Sequence, residues 1–315
     1  MQYKSNSPLV HTYSIVAYDP DSEQLGVAVQ SHYFGVGRIV PWAEYGVGAV
    51  ATQSFAEISY GPLGLELMRA GKTSQQALDS LLAGDPGREV RQVAMVDAQG
   101  TPAVHTGAKC IQAAGHKLGK HFSVQANLMH KDTVWAAMAQ AFEAATGDLA
   151  ERMLAAMEAA EAKGGDIRGK QSVAILVVSK EQAGNAKSGP LFDLNVEDHP
   201  EPLVEMRRLL NYAKAYEHAG KAGELLEGKP LNDEKLKSAN QEFEKARQLL
   251  PPEVNPELVY WHAVGLVNAG RVEDALPLFK EVFAIDPLWR ELTPRLVPSE
   301  LLPDDDEVIA RIVGF

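Results

Sequence analysis

The order of strand-like and helix-like segments constrains this chain more than any other feature. Short β-rich segments come in pairs joined by turn sequences, and helical segments also come in pairs. The predicted strands cover residues 12–18, 25–31, 35–41, 46–53, 92–97, 102–106, 122–126 and 172–179, and the predicted helices cover 63–70, 73–82, 132–145 and 148–163. Single strands do not alternate with single helices, so the order argues against a doubly wound parallel sheet.

This order predicts an α+β fold in which paired helices cover antiparallel sheets, as in a four-layer αββα sandwich with two sheets back to back. The alternative is a two-layer α+β domain with no particular site. The amino-acid composition changes near residue 180, where a stretch rich in Gly, Pro and charged residues begins. We therefore expect one domain over 1–180, a linker over 181–202 and an all-helical domain over 203–315.

The helical last third contains a self-match. Small, aromatic, small and proline residues occupy the same offsets in two sets that lie 36 residues apart: Ala239, Phe243, Ala246 and Pro251, then Ala275, Phe279, Val282 and Pro287. This pattern resembles the second helix of a tetratricopeptide repeat, whose period is about 34 residues. Two copies are fewer than the three or so that such repeats need to stand alone, so we expect this module to pack against helices in 203–225, the first domain or a second chain.

Composition narrows the classes of function. The net charge of −12 over 315 residues argues against nucleic-acid or anionic-membrane binding, and no apolar run is long enough to cross a bilayer. Residues 1–11 carry no apolar signal core, and the single Cys110 excludes an internal disulfide framework and a cysteine-based zinc cluster. We therefore expect a cytoplasmic protein with no metal and no cofactor.

The first predicted hairpin carries the strongest indication of chemistry. Thr12 opens an apolar strand that turns back at once through Asp19-Pro20-Asp21-Ser22. This arrangement resembles the start of the N-terminal nucleophile (Ntn) hydrolases, among them the proteasome β-subunits, in which a hydroxyl or thiol residue opens the first strand. There the free α-amino group, with a pKa near 8, is the general base for its own side chain.

The wider sequence resembles the DUF1028 family, which is of unknown function and is classed by prediction with the Ntn hydrolases. The resemblance spans about residues 11–178 and rests on five blocks: Thr12-Tyr-Ser-Ile-Val-Ala, Pro41-Trp-Ala-Glu-Tyr-Gly-Val-Gly-Ala-Val-Ala-Thr-Gln53, Tyr60-Gly-Pro-Leu-Gly64, Asp85-Pro-Gly-Arg-Glu-Val-Arg-Gln92 and Gly169-Lys-Gln-Ser172. It implies the αββα fold, and as an Ntn hydrolase the chain would use Thr12 as the catalytic residue on a small-molecule or peptide amide. The resemblance does not identify which amide is the substrate.

The chain departs from the proteasome-type pattern in two ways. Thr12 gains a free amine only if the chain is cut between His11 and Thr12. Gln30 occupies the place of the supporting Asp, and no obvious Lys lies between residues 33 and 71. The candidates for substrate-binding or oxyanion roles are therefore polar residues at strand ends: Gln30, Ser31, His32, Thr52, Gln53, Ser54, Gln125, Asn127 and Ser172.

Two functions thus follow from the sequence as hypotheses. The first is an Ntn-type amidohydrolase that uses Thr12 after processing. The second is a non-catalytic binding or scaffold protein of the same fold, whose helical repeats recruit a protein partner. A third reading, an uncleaved hydrolase with Ser14 or Ser31 as nucleophile, lacks an identifiable base. The open ends of a two-repeat module are also compatible with a homo-oligomer.

Overall fold

A computed structural model describes residues 8–180, 189–227 and 232–315 of the chain. The chain divides into two compact units, residues 1–208 and 209–315. The first unit combines strands with helices, whereas the described part of the second contains helices. The predicted mixed α+β fold with a helical C-terminal region is confirmed at this level.

The strands of the first unit form two antiparallel sheets. They are β1 (Leu9–Val10), β2 (Thr12–Asp19), β3 (Gln24–Ser31), β4 (Pro41–Glu44), β5 (Gly48–Phe55), β6 (Arg91–Asp97), β7 (Pro102–Thr106), β8 (Gly115–Gly119), β9 (Phe122–Ala126), β10 (Ser172–Val178) and β11 (Phe192–Val196). The first sheet has the order β1-β5-β6-β7, with β4 also paired to β5. The second has the order β11-β10-β3-β2-β9-β8.

The two sheets pack face to face through a core of small and β-branched side chains. Val16, Val27 and Val29 of the second sheet lie in one buried cluster with Ala51 and Ala94 of the first. Residues facing one side of a strand alternate with residues facing the other, so the same strands also present apolar side chains to the helices outside.

A pair of helices packs on each sheet. The pair α1 (Tyr60–Arg69) and α2 (Ser74–Gly84) lies on the first sheet, where Met68 and Leu78 join a buried cluster with Val93 of β6. The pair α3 (Val134–Ala144) and α4 (Leu149–Ala162) lies on the second. The rings of Phe122 and Phe142, from β9 and α3, have centroids 4.7 Å apart.

Several segments differ from the prediction, among them strands β1 and β4, which were not predicted. The strand expected over 35–41 is wrong, because Gly35 has a left-handed φ of 65° and opens a 3-10 turn over Val36–Arg38. Strand β8 was not predicted, since its sequence Gly-His-Lys-Leu-Gly has no alternating apolar pattern. Strand β11 lies in the segment predicted as a linker, of which residues 181–188 are outside the described residues, and it pairs with β10.

The second unit is built from helices. They are α5 (Pro202–Glu227), which starts in the first unit, α6 (Asp233–Leu249), α7 (Glu257–Asn268), α8 (Val272–Ile285), α9 (Leu288–Leu292) and α10 (Asp306–Val313). The small and aromatic residues of the sequence self-match, Ala239, Phe243 and Ala246 in α6 and Ala275, Phe279 and Val282 in α8, are all buried. Each set faces the core of the unit.

None of the helices among the described residues is long and apolar enough to cross a membrane.

Candidate active site

The site lies where the chain crosses from one sheet to the other. Leu9 and Val10 pair with Phe55 and Ser54 in the first sheet, whereas Thr12 pairs with Ser31 in the second. His11 is the single residue between the two strands. The peptide bond between His11 and Thr12 therefore lies buried between the two sheets, at the start of β2, with backbone pairing on both sides.

Thr12 is fully buried at the start of β2. Its hydroxyl group donates a hydrogen bond to the carbonyl oxygen of Val10 at 2.7 Å. Its own carbonyl oxygen accepts from the backbone N–H of Asn127 at 3.0 Å and from Nε2 of Gln53 at 3.3 Å. Residues before Thr12 thus cover its side chain, and its nitrogen is an amide in the intact chain.

The carbonyl oxygen of His11 accepts two side-chain hydrogen bonds. The Ser31 hydroxyl donates at 2.6 Å, and Nη2 of Arg168 donates at 2.8 Å. A guanidinium and a hydroxyl aimed at one carbonyl oxygen withdraw electron density from its carbon and stabilise negative charge on the oxygen. This is the carbonyl group of the peptide bond that precedes Thr12.

Asp166 holds the Arg168 side chain in place. Its carboxylate accepts from Nε of Arg168 at 3.0 Å and from Nη2 at 2.6 Å, while the backbone N–H of His32 donates to Oδ2 at 3.3 Å. The Asp166 side chain is fully buried and that of Arg168 is 30% exposed. A bidentate pair with one buried partner fixes the guanidinium in a single orientation.

The imidazole of His11 packs between Asn127 and Phe55. Its Nδ1 lies 2.7 Å from Oδ1 of Asn127, and its ring meets that of Phe55 edge-to-face with centroids 5.8 Å apart. Burial lowers the pKa of His11, and the positive charge of Arg168 also lowers it, against the opposing effect of the Asn127 hydrogen bond. The neutral ring therefore donates from Nδ1, because the Asn127 amide nitrogen donates elsewhere.

Asn127 also belongs to a buried network of side-chain amides between the sheets. Nδ2 of Asn127 donates to Oε1 of Gln92 at 2.9 Å, and Nε2 of Gln53 donates to the same oxygen at 2.7 Å. The Ser14 hydroxyl joins Gln53 to Gln125, with both contacts at 2.6 Å. Because these buried groups satisfy one another, the network fixes the positions of Asn127 and Gln53 beside Thr12.

The structure brings some of the predicted site residues together and separates others. Ser31, Gln53 and Asn127 lie around the His11–Thr12 peptide, and Gln125 reaches it through Ser14. Ser172 pairs with Ser31 in register, but its hydroxyl donates to the carbonyl of Tyr33. The Ser172 side chain thus stabilises the turn that follows β3.

Gln30, Thr52 and His32 lie away from this peptide bond. Gln30 is buried on the face of β3 opposite Ser31, and neither of its side-chain polar atoms has a partner among the described residues. The Thr52 hydroxyl donates to the carbonyl of Glu57. His32 is exposed and contributes its backbone N–H to Asp166.

Four residues of the site were not predicted from the sequence: Arg168, Asp166, His11 and Gln92. Asp166 and Arg168 follow two consecutive glycines with left-handed φ values, Gly164 and Gly165. A signal for them exists in the Gly-Gly-Asp-x-Arg sequence, which places an acidic and a basic residue on a tight turn before β10. Gln92 is a buried amide residue within a strand, as Gln53 is.

Among the described residues, no group of three or more His, Cys, Asp or Glu side chains could hold a metal ion. The arrangement offers hydroxyl, amide and guanidinium groups around one peptide carbonyl.

Comparison with known proteins gives a family match and a structural match. The family model for a family of unknown function, DUF1028, matches residues 12–206. The crystal structure of a DUF1028 protein from Silicibacter pomeroyi is similar to this chain with a TM-score of 0.60 and 29% identity, over 65% of this chain and 86% of that one. No functionally curated protein matches the sequence.

Proposed function

Since this chain belongs to the DUF1028 family, a family of unknown function, we propose a function from the site itself: an Ntn-type amidohydrolase. Its nucleophile is Thr12, exposed by cleavage after His11, and its substrate is an amide bond in a small molecule or peptide. In this proposal the first unit is a four-layer αββα Ntn-hydrolase-like sandwich. The facing antiparallel sheets, each carrying a helix pair, support this description.

The observation that carries the proposal is the environment of the His11 carbonyl. The Ser31 hydroxyl and the Arg168 guanidinium both donate to its oxygen, at 2.6 and 2.8 Å. Two side-chain donors on one carbonyl oxygen, one of them charged, match the donors that stabilise an oxyanion. The carbonyl so held is bonded to the nitrogen of the proposed nucleophile.

The same groups explain how an intact chain would cut itself. The Thr12 hydroxyl oxygen adds to the His11 carbonyl carbon, the C–N bond breaks, and the hydroxyl proton ends on the Thr12 nitrogen. The product is an ester between His11 and the Thr12 side chain. Water then hydrolyses the ester, which releases the acid of residues 1–11 and leaves a free amine on Thr12.

In turnover, that amine would take the proton of the Thr12 hydroxyl as it attacks a substrate carbonyl, and would return it to the leaving amine. Arg168, fixed by Asp166, would supply the positive charge that a Lys provides in proteasome-type sites. A guanidinium stays protonated, so its role is to stabilise the oxyanion.

The experiment is the intact mass of the purified protein and of three variants. The wild type and Thr12→Ser are expected to begin at residue 12, whereas Thr12→Ala keeps residues 1–11. Thr52→Ala is the control, because it removes a buried hydroxyl that donates to the carbonyl of Glu57, away from the peptide bond after His11, and this variant should still be cut. A wild-type chain that retains residues 1–11 contradicts the proposal.

A second candidate is a non-catalytic scaffold of the same fold. It is favoured by β1, because pairing of Leu9 and Val10 with β5 builds the residues before Thr12 into the first sheet. In this case the second unit, as a tetratricopeptide-like module, would recruit a protein partner or a second copy of the chain. Unchanged function in Thr12→Ala, with loss on deletion of 209–315, would favour this candidate.

A further inference from the structure

The residues before Thr12 lie in the structure as an extended acyl chain bound to a strand edge. Leu9 and Val10 pair antiparallel with Phe55 and Ser54 of β5, and the N–H of Ala56 donates to the carbonyl of Pro8 at 3.0 Å. The Pro8–His11 segment thus adds a short strand to β5, and its last carbonyl enters the two-donor site of Ser31 and Arg168. Backbone pairing of this kind recognises any extended peptide.

The chemistry of acyl transfer makes this segment equivalent to part of a substrate. Self-cleavage passes through an ester between the Thr12 hydroxyl and the acyl group that ends in His11. Turnover of an amide passes through an ester between the same hydroxyl and the acyl group of the substrate. Because both esters place a carbonyl between the same donors, the acyl chain attached to that carbonyl extends along the same surface in both.

We infer that the Pro8–His11 segment occupies the acyl subsites of the enzyme. The mature site accepts peptide amides whose acyl side is an extended chain ending in an apolar residue and then histidine or a similar neutral, hydrogen-bonding ring. This inference rests on the proposed function. It adds the substrate class and assigns Phe55 and Asn127 as specificity-determining residues.

The subsite of Val10 selects for an apolar side chain. Val10 is fully buried in the core between the sheets, in one cluster with Val40 and Ala56. The neighbouring Leu9 is 49% exposed. Alternate residues of an added strand face opposite sides, so the position of Val10 is selective and that of Leu9 is tolerant.

The subsite of His11 recognises a ring with a hydrogen-bond donor. Oδ1 of Asn127 accepts from Nδ1 at 2.7 Å, and the Phe55 ring meets the imidazole edge-to-face. Asn127 cannot rotate freely to suit another group, because its Nδ2 is held by Gln92. An aliphatic residue at this position would leave the buried amide oxygen unpaired.

The test uses the processed protein with both units, once its intact mass shows that the chain begins at Thr12. The probes are acetyl-Pro-Leu-Val-His coupled as an amide to aminocoumarin, the same peptide with Val→Asp or with Leu→Asp, and acetyl-aminocoumarin, which has no peptide chain. We expect kcat/KM for the Val→Asp probe to fall at least about tenfold, because burial of a valine is lost and a charge is buried. The Leu→Asp probe is expected to stay within about threefold of the parent probe.

A second pair of measurements tests the ring subsite. The probe ending in His is expected to exceed the probe ending in Ala by about tenfold in kcat/KM, and Asn127→Ala should shrink this ratio. The Thr12→Ala variant, which keeps its leader, is the blank for contaminating peptidases. Changes made in the probe leave the fold of the enzyme unaltered.

The outcomes separate this inference from the proposed function. Equal rates for the Val→Asp and Leu→Asp probes, or faster hydrolysis of acetyl-aminocoumarin than of the peptide, overturn the inference while Thr12 catalysis stands. A chain that begins at Thr12 but hydrolyses none of the peptides also overturns the inference alone. A wild-type chain that retains residues 1–11 and hydrolyses no probe overturns both.

Discussion

Substitution of Gln92 by Leu is expected to destabilise the first unit by about 2–5 kcal/mol, because two or more buried groups lose their partners at about 1–3 kcal/mol each. The Gln92 side chain makes five polar contacts in the described part of the chain. Its oxygen accepts from Gln53 Nε2 and Asn127 Nδ2, and the two hydrogens of its nitrogen are shared among Thr106 Oγ1, Gly115 O and Ala126 O. Leu has a similar volume, so the loss measures the polar contacts more than a cavity.

Cys110 provides a probe that reports on the first unit alone. It is the single cysteine of the chain, it is buried, and burial raises the pKa of its thiol, so a thiol reagent reaches it only after opening. Labelling in urea, where opening of the whole unit dominates, should be roughly thirty- to several-thousand-fold faster in Gln92→Leu at about 1.4 kcal/mol per factor of ten. Gln75→Leu is the control, since Gln75 is exposed and bonds only Asp79 among the described residues. A labelling rate in Gln92→Leu within fivefold of that in Gln75→Leu would refute this account of the network.

Two further predictions concern backbone packing and pH. Gly107→Ala should cost the first unit about 1–3 kcal/mol in the same labelling assay, because a Cβ there would lie 2.4 Å from the backbone of Glu89, whereas Gly84→Ala, with no atom within 4 Å, should change stability by less than about 0.5 kcal/mol. In the second unit, burial and the charge of Arg247 lower the pKa of His262 from 6.5 to about 3. The unfolded chain therefore binds a proton that the folded unit excludes, and stability should fall by up to about 1.4 kcal/mol per pH unit as pH drops from 6.5 towards 3. Hydrogen exchange of α7 peptides would show this slope, and His262→Gln should flatten it.

The parts of the fold that the sequence predicted are those that local chemistry decides. Thr73 caps α2 with a full capping box, and Asp148 caps α4 by accepting from the N–H of Glu151. The turn at Asp19–Ser22 joins β2 to β3 as expected. Gly100 takes a left-handed φ of 74° in the turn that joins β6 to β7. Such signals lie within a few residues of each other, so one sequence is enough to detect them.

The parts that were missed depend on partners far away in the chain. Strand β8 exists because its backbone pairs with β9, although its side chains are mostly exposed. Likewise, nothing near Arg168 in sequence indicates that its guanidinium reaches the carbonyl of His11, 157 residues earlier. Candidate residues at strand ends could be listed from the pattern, but the face on which each one lies separates Ser31 from Gln30, and that depends on register.

In the proposed hydrolase, the burial of Thr12 and the binding of substrate would have a common origin. The intact chain hides Thr12 because Val10 and His11 fill the space beside it, and the burial of Val10 alone is worth about 1.5–3 kcal/mol. In the proposed reaction, cutting the bond after His11 would end the covalent attachment of this segment, which would then compete at its own concentration with any substrate. The released segment would therefore leave the site on dilution. The same contacts would protect the site before cleavage and select the acyl chain afterwards.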